Sequence, residues 1–161
     1  MMTRHTFVRT ALSAGFVALA VAGCGNMQQT EAQKPQAAAG QRVETYEATL
    51  AASQEVPPAN SSGSGKAEVQ VNTDTYALTW NVTYAGLTGA ASAGHIHGPA
   101  AAGANAGVVV PFLNVGNQPV SGQTKITAAQ YGDLAAGLWY VNIHTPTYPG
   151  GEIRGQLRKR P

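Results

Sequence analysis

Cys24 is the chain's single cysteine. No disulfide can close within the chain, and no cysteine-ligated zinc or iron–sulfur site can form. Charge is also scarce. Only 11% of the residues are charged, against roughly 25% in ordinary soluble domains. Ten basic and eight acidic residues are scattered along the chain, which excludes a nucleic-acid binder that works by basic charge. Too few Glu, Lys and Leu residues are present for a coiled coil or long helix. No Walker loop, no G-x-G-x-x-G after a strand, no G-x-S-x-G and no H-E-x-x-H occurs, so nucleotide chemistry and the common hydrolase chemistries lack their signatures. What is present is 161 residues, 43% of them hydrophobic, with 19 glycines and nine prolines. That is enough for one domain and hardly for two.

The first 23 residues read as a secretory signal peptide. Arg4 and Arg9 supply the positive start, and an apolar run follows from Ala11 to Gly23. That run is too short to span a bilayer as a helix. It ends in Val21-Ala22-Gly23-Cys24, which resembles a bacterial lipobox, so Cys24 is expected to be lipidated. Several acyl chains on one cysteine anchor a domain firmly to a membrane. Gly25, rather than Asp, follows the cysteine, which favours the outer membrane of the cell envelope, facing the periplasm. Residues 24–42, rich in Gln, Ala and Gly, read as a flexible tether. Without Arg4 and Arg9 the chain carries eight basic and eight acidic residues. The basic tail at residues 159–161 is expected to be solvated.

From Val43 to Arg158 the pattern becomes one of short strands. Residues 46–51, 67–72 and 76–84 alternate with period two, and Leu78, Trp80 and Val82 share a face with Tyr76 and Tyr84. Asn72-Thr73-Asp74-Thr75 reads as a hairpin connection. Further strands are expected within 93–98, 107–113, 122–126, 138–145 and 152–158. Residues 127–137 suit a short helix, with Thr127 as N-cap and Gly137 as its stop. The expected fold is all-β: an antiparallel Greek-key sandwich or barrel of about 7–8 short strands with one helical segment. Trp80 and Trp139 are expected to be buried.

Apart from His5, the histidines fall in two motifs, Gly94-His95-Ile96-His97-Gly98-Pro99 and Val141-Asn142-Ile143-His144-Thr145. Residues two apart on a strand share a face. His95 and His97 therefore point one way and Ile96 the other. In the second strand Trp139, Val141 and Ile143 form an apolar face, and Tyr140, Asn142 and His144 the opposite one. If the strands are neighbours, three imidazoles converge on outward faces. Imidazole suits copper, zinc, iron and nickel, and the lack of a carboxylate beside the pair argues against a hard cation. Polar surface histidines bonded to turn carbonyls are the alternative. Asn142, Glu152 and Arg154 are candidates for orienting the imidazoles or steering an anion. A surface ion pair or loop clamp is the other reading of Glu152 and Arg154.

Four segments together resemble the CHRD domain family. They are Tyr46–Leu50 followed by Gln54-Glu55-Val56-Pro57-Pro58; Ala93–Ala100; Leu138–Thr145; and Pro149–Leu157. The resemblance spans about residues 44–158. It implies an all-β domain and no assigned biochemical role. In chordin such domains belong to a growth-factor-binding protein, a partner that does not carry over to a bacterial lipoprotein. Separately, Gly94-His95-Ile96-His97 is similar to the copper-ligand strand of the copper–zinc superoxide dismutases, and His144 is placed like their last copper ligand. The bridging histidine, the zinc cluster and the cysteine pair of those enzymes are missing.

Three functions follow as expectations. The first is an envelope-anchored binding module holding a transition metal, copper foremost, at His95, His97 and His144. The second is a structural or protein-interaction module without metal. The third is a copper-only dismutase-like enzyme with Arg154 as an anion guide. The protein partner is open, and no residue is assigned a catalytic role.

Overall fold

The computed structural model describes residues 42–161. The expected signal peptide, Cys24 and nearly all of the expected tether lie outside the described residues. Nine strands and one α-helix make up the domain: β1 (Val43–Ala51), β2 (Ser64–Asn72), β3 (Ala77–Ala85), β4 (Ala93–His97), β5 (Val108–Pro111), β6 (Val120–Lys125), α1 (Ala128–Ala135), β7 (Tyr140–His144), β8 (Ile153–Gln156) and β9 (Arg158–Lys159). All strand pairs are antiparallel. Eight strands form one sheet in the order β5-β4-β7-β8-β1-β2-β3-β6, and β9 adds to β1. The sheet curls into a nearly closed barrel. Strands β1–β3 form a meander, while β4–β5 and β7–β8 are hairpins, linked by connections that cross the barrel.

The alternation read from the sequence is the alternation of burial. On β3, Leu78, Trp80 and Val82 are buried while Ala77, Thr79 and Asn81 are exposed. Their partners across β2 are Val71, Val69 and Ala67, all buried. Trp80 lies opposite Gly122 of β6, where any Cβ would strike the indole ring. Its other neighbour is Phe112, stacked at 5.4 Å between ring centroids. Trp139 is wholly buried and Trp80 nearly so. Helix α1 begins as the sequence suggests. Thr127 Oγ1 accepts from the Gln130 amide at 3.1 Å, and Gln130 Oε1 accepts from the Thr127 amide at 2.8 Å. It ends before Gly137, whose φ of +72° suits glycine. Leu134 anchors the helix to the core.

The C-terminal tail is exposed to solvent, as expected, and also joins the sheet. Arg158 and Lys159 extend the sheet as β9, and the Arg160 amide donates to the Thr45 carbonyl at 2.8 Å. Lys159 pairs with Glu44, and Arg160 with Glu47 and Glu68. The reason is the edge of β1. Strand β8 pairs with β1 only through Ala51 and Arg154, and the tail takes up backbone groups further along.

Candidate functional site

The register of three neighbouring strands builds the site. In the β4–β7 pairing Ala93 lies opposite His144, His95 opposite Asn142 and His97 opposite Tyr140. In the β7–β8 pairing Asn142 lies opposite Arg154 and Tyr140 opposite Gln156. Period two puts all of these side chains on one face, with Ile96, Val141, Ile143 and Ile153 on the core side. The three histidines therefore converge, and their candidate ligand nitrogens lie within 4.8 Å of one another.

This face does not look outward into solvent, as the sequence suggested. Tyr140 and Asn142 are each 3% exposed, His144 8% and His97 9%. The chain segments 98–107 and 145–152 fold over it and supply main-chain carbonyls. The Ala106 carbonyl accepts from His97 Nδ1 at 3.0 Å, and the Pro149 carbonyl from His144 Nδ1 at 2.9 Å. A carbonyl only accepts, so both Nδ1 atoms carry hydrogen and both Nε2 atoms remain for another partner. His144 Nε2 faces His95 Nδ1 at 3.0 Å, and His97 Nε2 faces Asn142 Oδ1 at 3.1 Å. Carbonyl-tethered imidazoles of this kind are how proteins aim a coordinating nitrogen.

Burial holds the His95 imidazole well below its ordinary 6.5, down to about 4, with His144 and His97 adding repulsion. Burial also lowers His144, against the pull of the Pro149 carbonyl, and His97 lowers it further. These two rings are neutral at pH 7, as coordination requires.

Arg154 is 2% exposed. Its guanidinium lies 3.4 Å from the centre of the Tyr140 ring and donates to the Ala104 carbonyl and to Asn105 Oδ1. Tyr140 in turn stacks against His97 at 4.9 Å, nearly parallel. Arg154 thus buttresses His97 through Tyr140. Buried, it lines a cleft shared with Glu55 and with none of the imidazoles, which is not where an anion guide to them was expected.

Glu152 forms neither a surface ion pair nor a hydrogen bond to any of the three imidazoles. Its wholly buried carboxylate accepts from Ser61 Oγ (2.6 Å), the Thr88 amide (2.8 Å), Thr88 Oγ1 (2.8 Å) and Thr145 Oγ1 (2.6 Å). Burial pushes its pKa up, and these donors outweigh it, holding the carboxyl below its usual range. Glu152 is a clamp joining three loops, one of which carries Pro149 over His144. Of the candidate orienting groups, only Asn142 is seen beside an imidazole, its Oδ1 lying 3.1 Å from His97 Nε2.

Glu55 is a site residue that the sequence did not single out. It lies just after the 3-10 turn Ala52–Gln54 and is 6% exposed. Burial pushes its carboxyl up to about 7, against Arg154 and the Val56 backbone. Its segment lacks periodicity, and only the motif Gln54-Glu55-Val56-Pro57-Pro58 marks it.

Glu55 and His95 give apo stability opposite pH slopes. His95 folds with a depressed pKa, so the unfolded chain binds the proton first and stability falls as pH drops from 6.5 toward 4. Glu55 folds with a raised pKa. Its contribution is complete below about 4.5 and is lost as pH rises through about 7. His95→Ala is expected to lose less stability than wild type between pH 6.5 and 4.5, measured by urea midpoints. Equal losses would refute this account of His95.

A cleft of about 790 Å³ runs beside β9 and the outer face of β1–β3 and is lined by none of the imidazoles. In comparisons with known proteins, the family model for the CHRD domain matches residues 46–157. No curated protein and no solved structure matches the chain.

Proposed function

The chain belongs to the CHRD domain family, and from that premise we propose that its β domain is an envelope-anchored binding module holding a transition metal at His95, His97 and His144. The observation that carries this reading is the arrangement of the three rings. Two have their Nδ1 atoms tied to main-chain carbonyls, which leaves His97 Nε2 and His144 Nε2 beside His95 Nδ1. Metal–imidazole bonds of about 2.0–2.1 Å place ligand nitrogens about 3–4 Å apart. The spread of 4.8 Å closes to that range by small ring rotations. Three nitrogens without a carboxylate ligand suit copper ahead of zinc. The ion would supply cationic charge and coordination. The chain supplies the rings, their orientation and their partial burial.

Because the ligands come from β4 and β7, an ion stabilises the folded state over the unfolded one. Adding copper(II) in excess is expected to raise the melting temperature of the full chain by several degrees, and zinc by less. An unchanged melting temperature with both ions would remove the reading.

The anchor is Cys24, on the lipobox-like Val21-Ala22-Gly23. Cys24→Ser is expected to move the protein from the membrane to the soluble fraction and to abolish lipid labelling. Unchanged fractionation would contradict it.

A further inference from the structure

Glu55 is an acid buried with one oxygen, Oε1, lacking a hydrogen-bond partner among the described residues. Its position is set by Gly151, whose φ is +131°. A Cβ there would collide with Glu55 Oε1 and stand 2.9 Å from Asn142 Nδ2. The bare glycine therefore lets the carboxyl and the amide approach the same point. The other end of that amide, Oδ1, lies 3.1 Å from His97 Nε2. Asn142 thus stands between the carboxyl of Glu55 and the imidazole cluster.

The charged group facing Glu55 is Arg154 of β8, and both line a cleft of about 370 Å³ with the neutral Ser53 and Gln54. Tyr148 lines the cleft on the other side of Glu55. Glu152, next to Gly151, is closed off by its four donors. With Glu55 protonated, the buried charges of Arg154 and Glu152 balance. A cation on the imidazoles unbalances them where charge is poorly screened.

We propose that Glu55 is a positioning residue for the three-imidazole centre, its carboxylate compensating a cation held there through the Asn142 amide that links the two. The inference rests on the metal reading above. On binding, the Glu55 O–H bond breaks and the proton leaves to solvent as the cation enters. The carboxylate then accepts from Asn142 Nδ2, which fixes the amide beside His97. No electron is transferred. Burial already brings the Glu55 carboxyl up to about 7, so a nearby cation shifts it across neutral pH.

The test is calorimetric titration of the full chain with copper(II), on wild type, Glu55→Gln and Glu55→Asp, in two buffers of different ionisation enthalpy. Glu55→Gln is expected to bind about tenfold more weakly at pH 8, the equivalent of one pKa unit, and within about twofold of wild type at pH 6. It should also release fewer protons per ion near pH 6.5. Glu55→Asp keeps the charge and should recover part of both. Should the glutamine variant fail to fold, the wild-type count decides: proton release must fall as pH rises from 6.5 to 8.5. Tight wild-type binding with equal affinities and proton counts in all variants, or a wild-type count that does not fall, overturns the role of Glu55 and leaves the metal reading standing. Absence of wild-type binding at every pH overturns the metal reading itself.

Discussion

Glu152→Ala is expected to cost about 3–5 kcal/mol of folding stability, the largest loss of any single change considered. Four hydrogen bonds to one buried carboxylate vanish together, and three hydroxyls and an amide lose their acceptor. Hydrogen bonds to charged groups contribute roughly 1.5–3 kcal/mol each, but a shared acceptor makes them far from additive. The variant's melting temperature is expected to fall by about 10–20 °C. Ser61→Ala removes one donor and leaves the carboxylate three, so its cost should be about 1–2 kcal/mol. Urea unfolding of both variants checks the ratio. If Glu152→Ala costs no more than Ser61→Ala, the clamp is not what holds these loops.

The second large effect concerns the metal. Each of His95→Ala, His97→Ala and His144→Ala is expected to weaken copper(II) binding by at least about 100-fold, by removing one of three nitrogens. The folds should survive to different degrees. His95 is the most exposed of the three and makes its side-chain hydrogen bond to His144, so its removal should cost little stability. His97 stacks on Tyr140 and bonds the Ala106 carbonyl. His97→Ala should therefore cost about 2–3 kcal/mol through lost packing and an unpaired carbonyl. Melting curves with and without copper separate the two effects. A variant that keeps its full copper-induced shift would exclude that histidine from the site.

The barrel was legible because its strands bury one face. Leu78, Trp80 and Val82 alternate with polar residues, and no other register hides them. The helix was legible because Thr127 and Gly137 are its own start and stop signals. The pairing of His95 with His97 on one face also followed from period two. Their meeting with His144 depended on β4 lying beside β7, which the pattern permits and does not dictate. The burial of the polar face was not legible. The atoms that cover it are carbonyls of Ala104, Ala106 and Pro149, and a carbonyl leaves no mark on residue type. Glu152 and Arg154 share charge and spacing with a surface pair. Only the three-dimensional course of the loops turns one into a clamp and the other into a support for Tyr140. Glu55 is 40 residues before His95, in a turn with no periodicity. The tail is solvated as its charges suggest, but its pairing with β1 was not legible because a two-residue strand is too short to alternate.

The most direct test of the central claim is calorimetric titration of the wild type and of the His95→Ala/His97→Ala/His144→Ala triple variant with copper(II) at pH 7.5. The account predicts one saturable site per wild-type chain and none of comparable affinity in the triple variant, with both proteins folded. Wild-type binding no tighter than that of the triple variant would contradict it, leaving His97 and His144 to hold loops to the sheet and His95 to bond His144.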